Sequence, residues 1–165
     1  MERLDLVDKD GELLGVTYVR DSRPLLEHEF IQDIKIWIKD TVSGKFLFQK
    51  HVPRKGSLYG LTGGCVVSGE SPLDAVLRET KEEIGLELLR DEVVCLGNFV
   101  HRETFFTTVY FYEKDFSKTK FVPDPREVES VHWFTLGEAM ELDKKGLMRP
   151  STYETYTRFI LATND

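Results

Sequence analysis

Ile34, Ile36 and Ile38 alternate with Lys35, Trp37 and Lys39, the period of two that marks a β-strand. The Ser43-Gly44 turn then sends the chain back through Lys45 to Lys50 as a partner strand. Upstream, Leu4 and Leu6 alternate with polar neighbours, Asp10-Gly11 gives a turn signal, and Leu13 to Val19 reads as the returning strand. Residues 3–19 therefore predict a hairpin. Asp21 to Glu29, polar and interrupted by Pro24, reads as a connecting loop, and His51 to Gly60 as a second loop rich in Pro, Gly and basic residues. Downstream, Val93 to Val100 and Thr104 to Tyr112 read as strands joined by a short polar turn, and Val128 to Phe134 as another short strand. Leu136 to Lys145 reads as a helix, and Ser151 with Glu154 as a capping box opening a last helix that ends near Leu161. Strands and helices mix without regular βαβ alternation, which predicts an α/β fold with a mixed sheet flanked by helices.

A further helix is predicted from Ser71 to Ile84. Ser71 suits the N-cap, Pro72 the first helical position, Asp74 the capping position three residues on, and Gly85 the C-terminal stop. At about 100° per residue, Leu73, Val76, Leu77, Thr80 and Ile84 form one apolar stripe, the face expected to meet the core. Glu79, Glu82 and Glu83 share a separate arc beside it.

The length suits one domain, divided here as a hairpin extension over residues 1–28 and a main domain over residues 29–162. The hairpin's apolar residues Leu4, Leu6, Leu13, Leu14 and Val16 need something to pack against, because an isolated hairpin is marginal in water. It is expected to extend the core and to supply one wall of a cleft or a homodimer contact.

A net charge of -7, with Lys and Arg scattered, argues against a nucleic-acid polymer or an anionic membrane surface as partner. It leaves room for a small phosphorylated substrate, whose charge a bound metal ion can offset. No apolar run is long enough to span a membrane. Cys65 and Cys95 have neither metal-type spacing nor a disulfide framework, and Met1-Glu2-Arg3-Leu4-Asp5 lacks the apolar core of a secretory signal. The expected location is the cytoplasm, with both thiols reduced.

Carboxylates at helical spacing repel one another by a few tenths of a kcal/mol per pair. A divalent cation turns that repulsion into coordination, and an all-oxygen donor set suits Mg²⁺ or Mn²⁺. The flanking sequence sharpens the reading. Gly64, five residues, Glu70, seven residues, Arg78-Glu79-Thr80, one residue, Glu82-Glu83, one residue and Gly85-Leu86 resemble the Nudix box at its characteristic spacing. Thr80 stands where the family usually has an aliphatic residue.

The resemblance implies an α/β/α sandwich with a mixed sheet, here with an N-terminal β-hairpin extension. It also implies Mg²⁺- or Mn²⁺-dependent hydrolysis of a phosphoanhydride in a nucleoside-diphosphate-like molecule. Carried over by position, Glu79, Glu82, Glu83 and the Gly63 carbonyl are implied metal ligands. Arg78 is implied to pair with and orient a box carboxylate, and Glu70 to orient Arg78 or the helix start. The attacking water's proton goes to a box Glu or to one from a later loop, with Glu127, Glu129 and Glu103 as candidates.

The N-terminal stretch and "IKIWI" resemble the Nudix subgroup that includes isopentenyl-diphosphate isomerase, which raises isomerisation as an alternative. That reaction needs Cys where this chain has Gly63 and His where it has Cys65. Ile31 and Lys35 stand where further His residues would fall. A non-catalytic nucleotide-binding module is a third reading, and it has no need of the complete box. For the substrate, Arg54 and Lys55 in the loop before the box are placed to meet a phosphate. Tyr59, Phe105 and Phe106 are aromatic candidates for stacking on a ring, with core packing the simpler role for each. Cys65 reads as a small buried hydrophobe.

Overall fold

In the computed structural model, which describes residues 1–163, a two-stranded sheet precedes a seven-stranded mixed sheet. The first two strands, β1 (Arg3–Val7) and β2 (Leu13–Val19), pair antiparallel as the predicted hairpin. Next come β3 (Ile31–Asp40), β4 (Phe46–His51), β5 (Tyr59–Gly60) and β6 (Thr62–Cys65). Helix α1 (Pro72–Ile84) precedes β7 (Val94–His101), β8 (Phe105–Lys114) and β9 (Val128–Phe134). The helices α2 (Leu136–Lys144) and α3 (Pro150–Thr155) follow, and α3 runs into a π-helical turn, Tyr156–Ile160.

The main sheet runs β5-β4-β3-β8-β7. β3 pairs parallel with β8 along its whole length, from Ile31↔Phe105 to Asp40↔Lys114. On its other edge β3 meets β6 over Asp33 to Ile36, and β4 only at Lys39↔Phe46. From that point β4 leaves β3 to pair with β9 and β5. The edge therefore splits between β4 and β6, and the cleft described below opens between the two.

Both faces of the sheet are covered. Ile34, Ile36 and Ile38 pack with Ala75, Val76 and Ile84 of α1 on one face. On the other, Trp37, Phe46, Phe48 and Phe99 pack with Ala139, Met148 and Ile160. β3 is thus a central strand with two buried faces, which is why Trp37, on its nominally polar side, is fully buried. Its indole N–H donates to Thr155 Oγ1 at 3.1 Å.

α1 begins and ends where the sequence predicts. The Ser71 hydroxyl accepts from the Asp74 amide at 3.1 Å, and Gly85 takes the left-handed conformation at φ 70° that stops the helix. The buried face differs slightly from the predicted stripe. Val76, Thr80 and Ile84 are buried, Leu77 is only half-buried, and Ala75 and Glu83 are buried in addition. The helix is rolled so that the Glu79-Glu83 side presses on the sheet.

Two further expectations need correction. Ser151 does not cap the last helix. Pro150 already occupies the first helical position behind Arg149, so Ser151 lies inside the helix, and Glu154 instead bonds His101 Nδ1 at 2.6 Å. The hairpin packs through Leu4, Leu6 and Tyr18 against Ile31 and Cys65, while Leu13 and Val16 are exposed on its outer face. Core packing, the simpler role for the aromatic candidates, holds for Tyr59 in the large aromatic core, while Phe105 joins this small cluster and also lines the cleft described below.

Thr80 is fully buried, and its hydroxyl has no hydrogen-bond partner among the described residues. An unsatisfied buried hydroxyl costs about 1–3 kcal/mol, and valine is nearly isosteric with threonine and similar in helix propensity. Thr80→Val is expected to stabilise the protein by about 1 kcal/mol, read as a higher urea midpoint at unchanged slope. A lower midpoint would show that the hydroxyl has a partner.

Candidate active site

The candidate site is built on the contact between α1 and β6. A Cβ added at Gly64 would lie 2.4 Å from the Glu79 carboxyl, and one at Gly63 would lie 2.1 Å from the Ile34 carbonyl. Only glycines let β6 run this close to β3 below and the Glu79 carboxylate above.

Arg78 organises the carboxylates. Its Nε and Nη2 donate to the two Glu70 oxygens at 2.8 and 3.0 Å, a bidentate pair, and Nη2 also donates to the Cys65 carbonyl at 3.1 Å. Nη1 donates to Glu79 at 2.8 Å and to Glu82 at 3.2 Å. Glu70 accepts in addition from the Val67 amide at 3.1 Å. Glu83 lies apart from this group. It accepts from Gln49 Nε2 at 2.7 Å, and the Gln49 carbonyl oxygen accepts from the Thr62 hydroxyl at 3.0 Å. Among the described residues no three His, Cys, Asp or Glu side chains converge on one point, because Arg78 holds Glu79 and Glu82 while Gln49 holds Glu83.

Burial sets the electrostatics. Desolvation raises the Glu79 pKa from 4.5 to about 7, against the pull of Arg78 and with a further push from Glu83. Desolvation also raises Glu83, opposed by Gln49, Lys35 and Lys55. Glu82 is the exposed member, its side chain 59% accessible. One buried and one partly buried carboxylate, with Glu82 beside them, are a donor set that favours a cation. Their oxygens, with the neighbouring Gly63 backbone, match a hard divalent ion.

These groups line one cleft of about 760 Å³. Arg54, Lys55 and Glu127 also line it, drawn together as a cluster. Arg54 donates to Glu127 at 3.0 Å and to the Arg126 carbonyl, and Lys55 pairs with Glu127. Of the three later candidates for the proton, Glu127 reaches the cleft, alongside Asp124 of the same loop. Glu129 pairs with Lys50 at 3.1 Å, and Glu103 sits exposed in the β7–β8 turn. Glu2 and Arg20, which flank the hairpin strands, line the cleft, whereas no hairpin residue from 3 to 19 does. Cys65 is buried, and desolvation raises its thiol pKa to about 11.

Several residues escape a reading of the sequence: His51 on β4, Lys35 on β3, Arg102 in the β7–β8 turn and Arg149 ahead of α3, which line the cleft, and Gln49 on β4, which holds Glu83 from behind it. The one local signal was Gln49 and His51 at period two in the strand that begins Phe46-Leu47-Phe48, since buried polar side chains at strand spacing ask for a partner.

A mixed sheet between helices, with an acidic helix bedded on a Gly-Gly strand at the floor of a polar cleft, defines an α/β/α sandwich equipped for the chemistry of phosphorylated small molecules. A family model for the NUDIX domain matches residues 34–159, and the chain belongs to that family, the Nudix hydrolases. A Nudix hydrolase of Deinococcus radiodurans is 27% identical over 164 residues, covering 90% of this chain and 92% of its own length. A nucleoside triphosphate pyrophosphatase/Nudix hydrolase fusion protein of Bifidobacterium longum is 35% identical over 81 residues, 46% of this chain, and the match spans only 17% of that protein. A crystal structure of a Deinococcus radiodurans protein superposes with a TM-score of 0.79 at 23% identity, covering 96% of this chain and 99% of the other. A bifunctional NMN adenylyltransferase/ADP ribose pyrophosphatase of Francisella tularensis, complexed with AMP and a Mn ion, gives a TM-score of 0.63 at 18% identity, covering 82% of this chain and 42% of that one. At these identities the two structures establish the shared fold. Members of the family generally use divalent metals and act on small phosphorylated substrates. No helix among the described residues is long and apolar enough to cross a membrane.

The Glu79 pKa gives a signed pH effect. A carboxyl whose folded pKa exceeds its unfolded one binds more protons in the folded state between the two values, so its contribution falls as pH rises from about 4.5 through about 7. In chelator, the melting temperature of the wild type is expected to fall across this window, and Glu79→Gln to flatten the decline. Parallel profiles for the two proteins would refute the assignment.

Proposed function

We propose that this chain is a metal-dependent hydrolase that cleaves a phosphoanhydride bond in a nucleoside-diphosphate-type small molecule. The observation that carries the reading is the set Glu79, Glu82 and Glu83 on one side of α1, Glu83 buried and Glu79 partly so, at the floor of a cleft whose rim holds Arg54 and Lys55. The three carboxylates and the Gly63 carbonyl would hold Mg²⁺ or Mn²⁺. When bound, the cation supplies positive charge that offsets the phosphoanhydride oxygens and makes an attacking water more acidic.

The chain's own residues do the rest. Arg78, clamped by Glu70, fixes the rotamers of Glu79 and Glu82 and positions them without meeting substrate. Arg54 and Lys55 meet phosphate oxygens. Glu127 holds both cations in place, and this double pairing weakens it as a proton acceptor, so the water's proton passes to a carboxylate of α1. A binding module would not need two desolvated carboxylates held beside one another. Isomerisation is disfavoured by the buried, high-pKa thiol of Cys65 and by Gly63, whose close approach to Ile34 admits no side chain. The N-terminal likeness to the isomerase subgroup then reflects shared architecture. The division into an extension over residues 1–28 and a domain over 29–162, a cytoplasmic location for a chain with free Cys65 and Cys95, and a homodimer contact through the exposed outer face of the hairpin belong to the same reading.

Glu83→Gln and Glu82→Gln are expected to lower kcat by two or more orders of magnitude with the fold intact by circular dichroism. Wild-type turnover of nucleoside diphosphate derivatives should rise toward alkaline pH and vanish in excess EDTA. The products are identified by ³¹P NMR in ¹⁸O-labelled water. Turnover in EDTA equal to that in Mg²⁺ would overturn the reading, and so would conversion of isopentenyl diphosphate to dimethylallyl diphosphate.

A further inference from the structure

Most cations on the cleft are already committed to carboxylates. Arg20 pairs with Glu2, Lys35 with Asp33, Arg54 and Lys55 with Glu127, and Arg126 with Asp124. Two are not. Among the described residues, neither Arg102 nor Arg149 has a carboxylate at ion-pair distance, and the Arg149 guanidinium makes one long hydrogen bond, 3.4 Å, to the Lys55 carbonyl. Burial pushes the Arg149 pKa down, and the Arg102 charge adds to this against the pull of Glu83, so the two like charges feel each other.

Beside Arg149 lies an unpaired imidazole. His51 is 5% exposed, lines the cleft, and has no hydrogen-bond partner at either ring nitrogen. Desolvation and then Arg149, Lys55 and Lys35 hold its pKa down at about 3, so it is neutral and one ring N–H is available to donate. His51 and Arg149 meet over Gly60, where an added Cβ would stand 3.3 Å from His51 Nε2 and 3.2 Å from Arg149 Cδ. The Arg149 amide is tied to the Tyr59 carbonyl at 2.8 Å, which fixes the side chain's origin. A half-buried guanidinium without an acid at ion-pair distance and an unsatisfied buried donor facing one cavity are costly unless an anion completes them, and the exposed Arg102 adds charge at the mouth. A phosphate monoester, with close to two negative charges and several acceptor oxygens, fits that set.

We infer that Arg102, Arg149 and His51 form a subsite for a phosphate monoester that the substrate carries in addition to its scissile diphosphate. The subsite is assembled from β4, the β7–β8 turn and the entry to α3, whereas the scissile linkage belongs to the carboxylates of α1 beside β6. The substrate class is therefore a diphosphate with a further phosphorylated group, and this specificity rests on the hydrolase reading above.

Two matched pairs test it, NADPH with NADH and coenzyme A with dephospho-coenzyme A, since each pair differs by one phosphate monoester. The phosphorylated member is expected to be favoured at least tenfold in kcat/KM, mainly through KM. Arg149→Met, and Arg102→Met at the exposed position, should each reduce the preference by about tenfold or more, the scale of a charge-assisted hydrogen bond. In EDTA, inorganic phosphate should raise the melting temperature of the wild type and act less on either variant. Equal kcat/KM within each pair, or phosphate stabilisation unchanged in both variants, would overturn the subsite. If none of the four compounds is hydrolysed, the hydrolase reading loses its support, while phosphate binding in EDTA still decides for or against the subsite.

Discussion

The structure turns on one guanidinium. Arg78 joins Glu70 in the loop before α1, the Cys65 carbonyl at the end of β6, and Glu79 and Glu82 on its own helix. Without it, α1 would set three like charges against a strand that comes close enough to exclude even a Cβ at Gly64. Exposed ion pairs contribute little, about 0–1 kcal/mol. This one is bidentate, partly buried and shared among four acceptors, which is the geometry in which arginine gives direction as well as energy. Its direction matters most: it fixes the helix relative to β6 and so decides where the Glu79 and Glu82 carboxylates stand.

That arrangement explains why part of the site was legible in the sequence. Glu79, Glu82 and Glu83 lie on one helix, so helical periodicity brings them to adjacent arcs, while Glu70 and Arg78 were marked by the spacing that resembles the Nudix box. The caps of α1 were legible for the same reason, since Ser71, Pro72 and Gly85 act on neighbouring backbone groups. The hairpin and the strand at Ile34 to Ile38 were carried by strict alternation.

What was not legible depends on contacts distant in the chain. The period-two pattern at Ile34 to Ile38 does not announce that Trp37 is buried too, because that requires Thr155 and the C-terminal helices on the second face. The Ser151–Glu154 box failed because Pro150 had already set the helix start and because His101, far away in sequence, competes for Glu154. Gln49 has a role only because β4 parts from β3 and faces Glu83, and Arg149 because its backbone is held against Tyr59. A side chain whose partner is supplied by sheet topology has no local sequence signal.

The division of charge within the cleft reconciles an acidic chain with an anionic substrate. The net charge of -7 would repel a phosphorylated molecule at long range, but ordinary salt screens such fields beyond about 8–10 Å. Inside the cleft the local arrangement decides. The acidic floor on α1 is balanced only in part by Arg78, and the wall carries two guanidinium groups that, among the described residues, have no carboxylate at ion-pair distance. Each side lacks the charge that the other holds, yet the two cannot collapse together, because Glu79 is bedded on Gly64 and Arg149 is fixed by Tyr59. A ligand that bridges them must bring cations to the floor and anionic oxygens to the wall, and a metal-complexed polyphosphate does both.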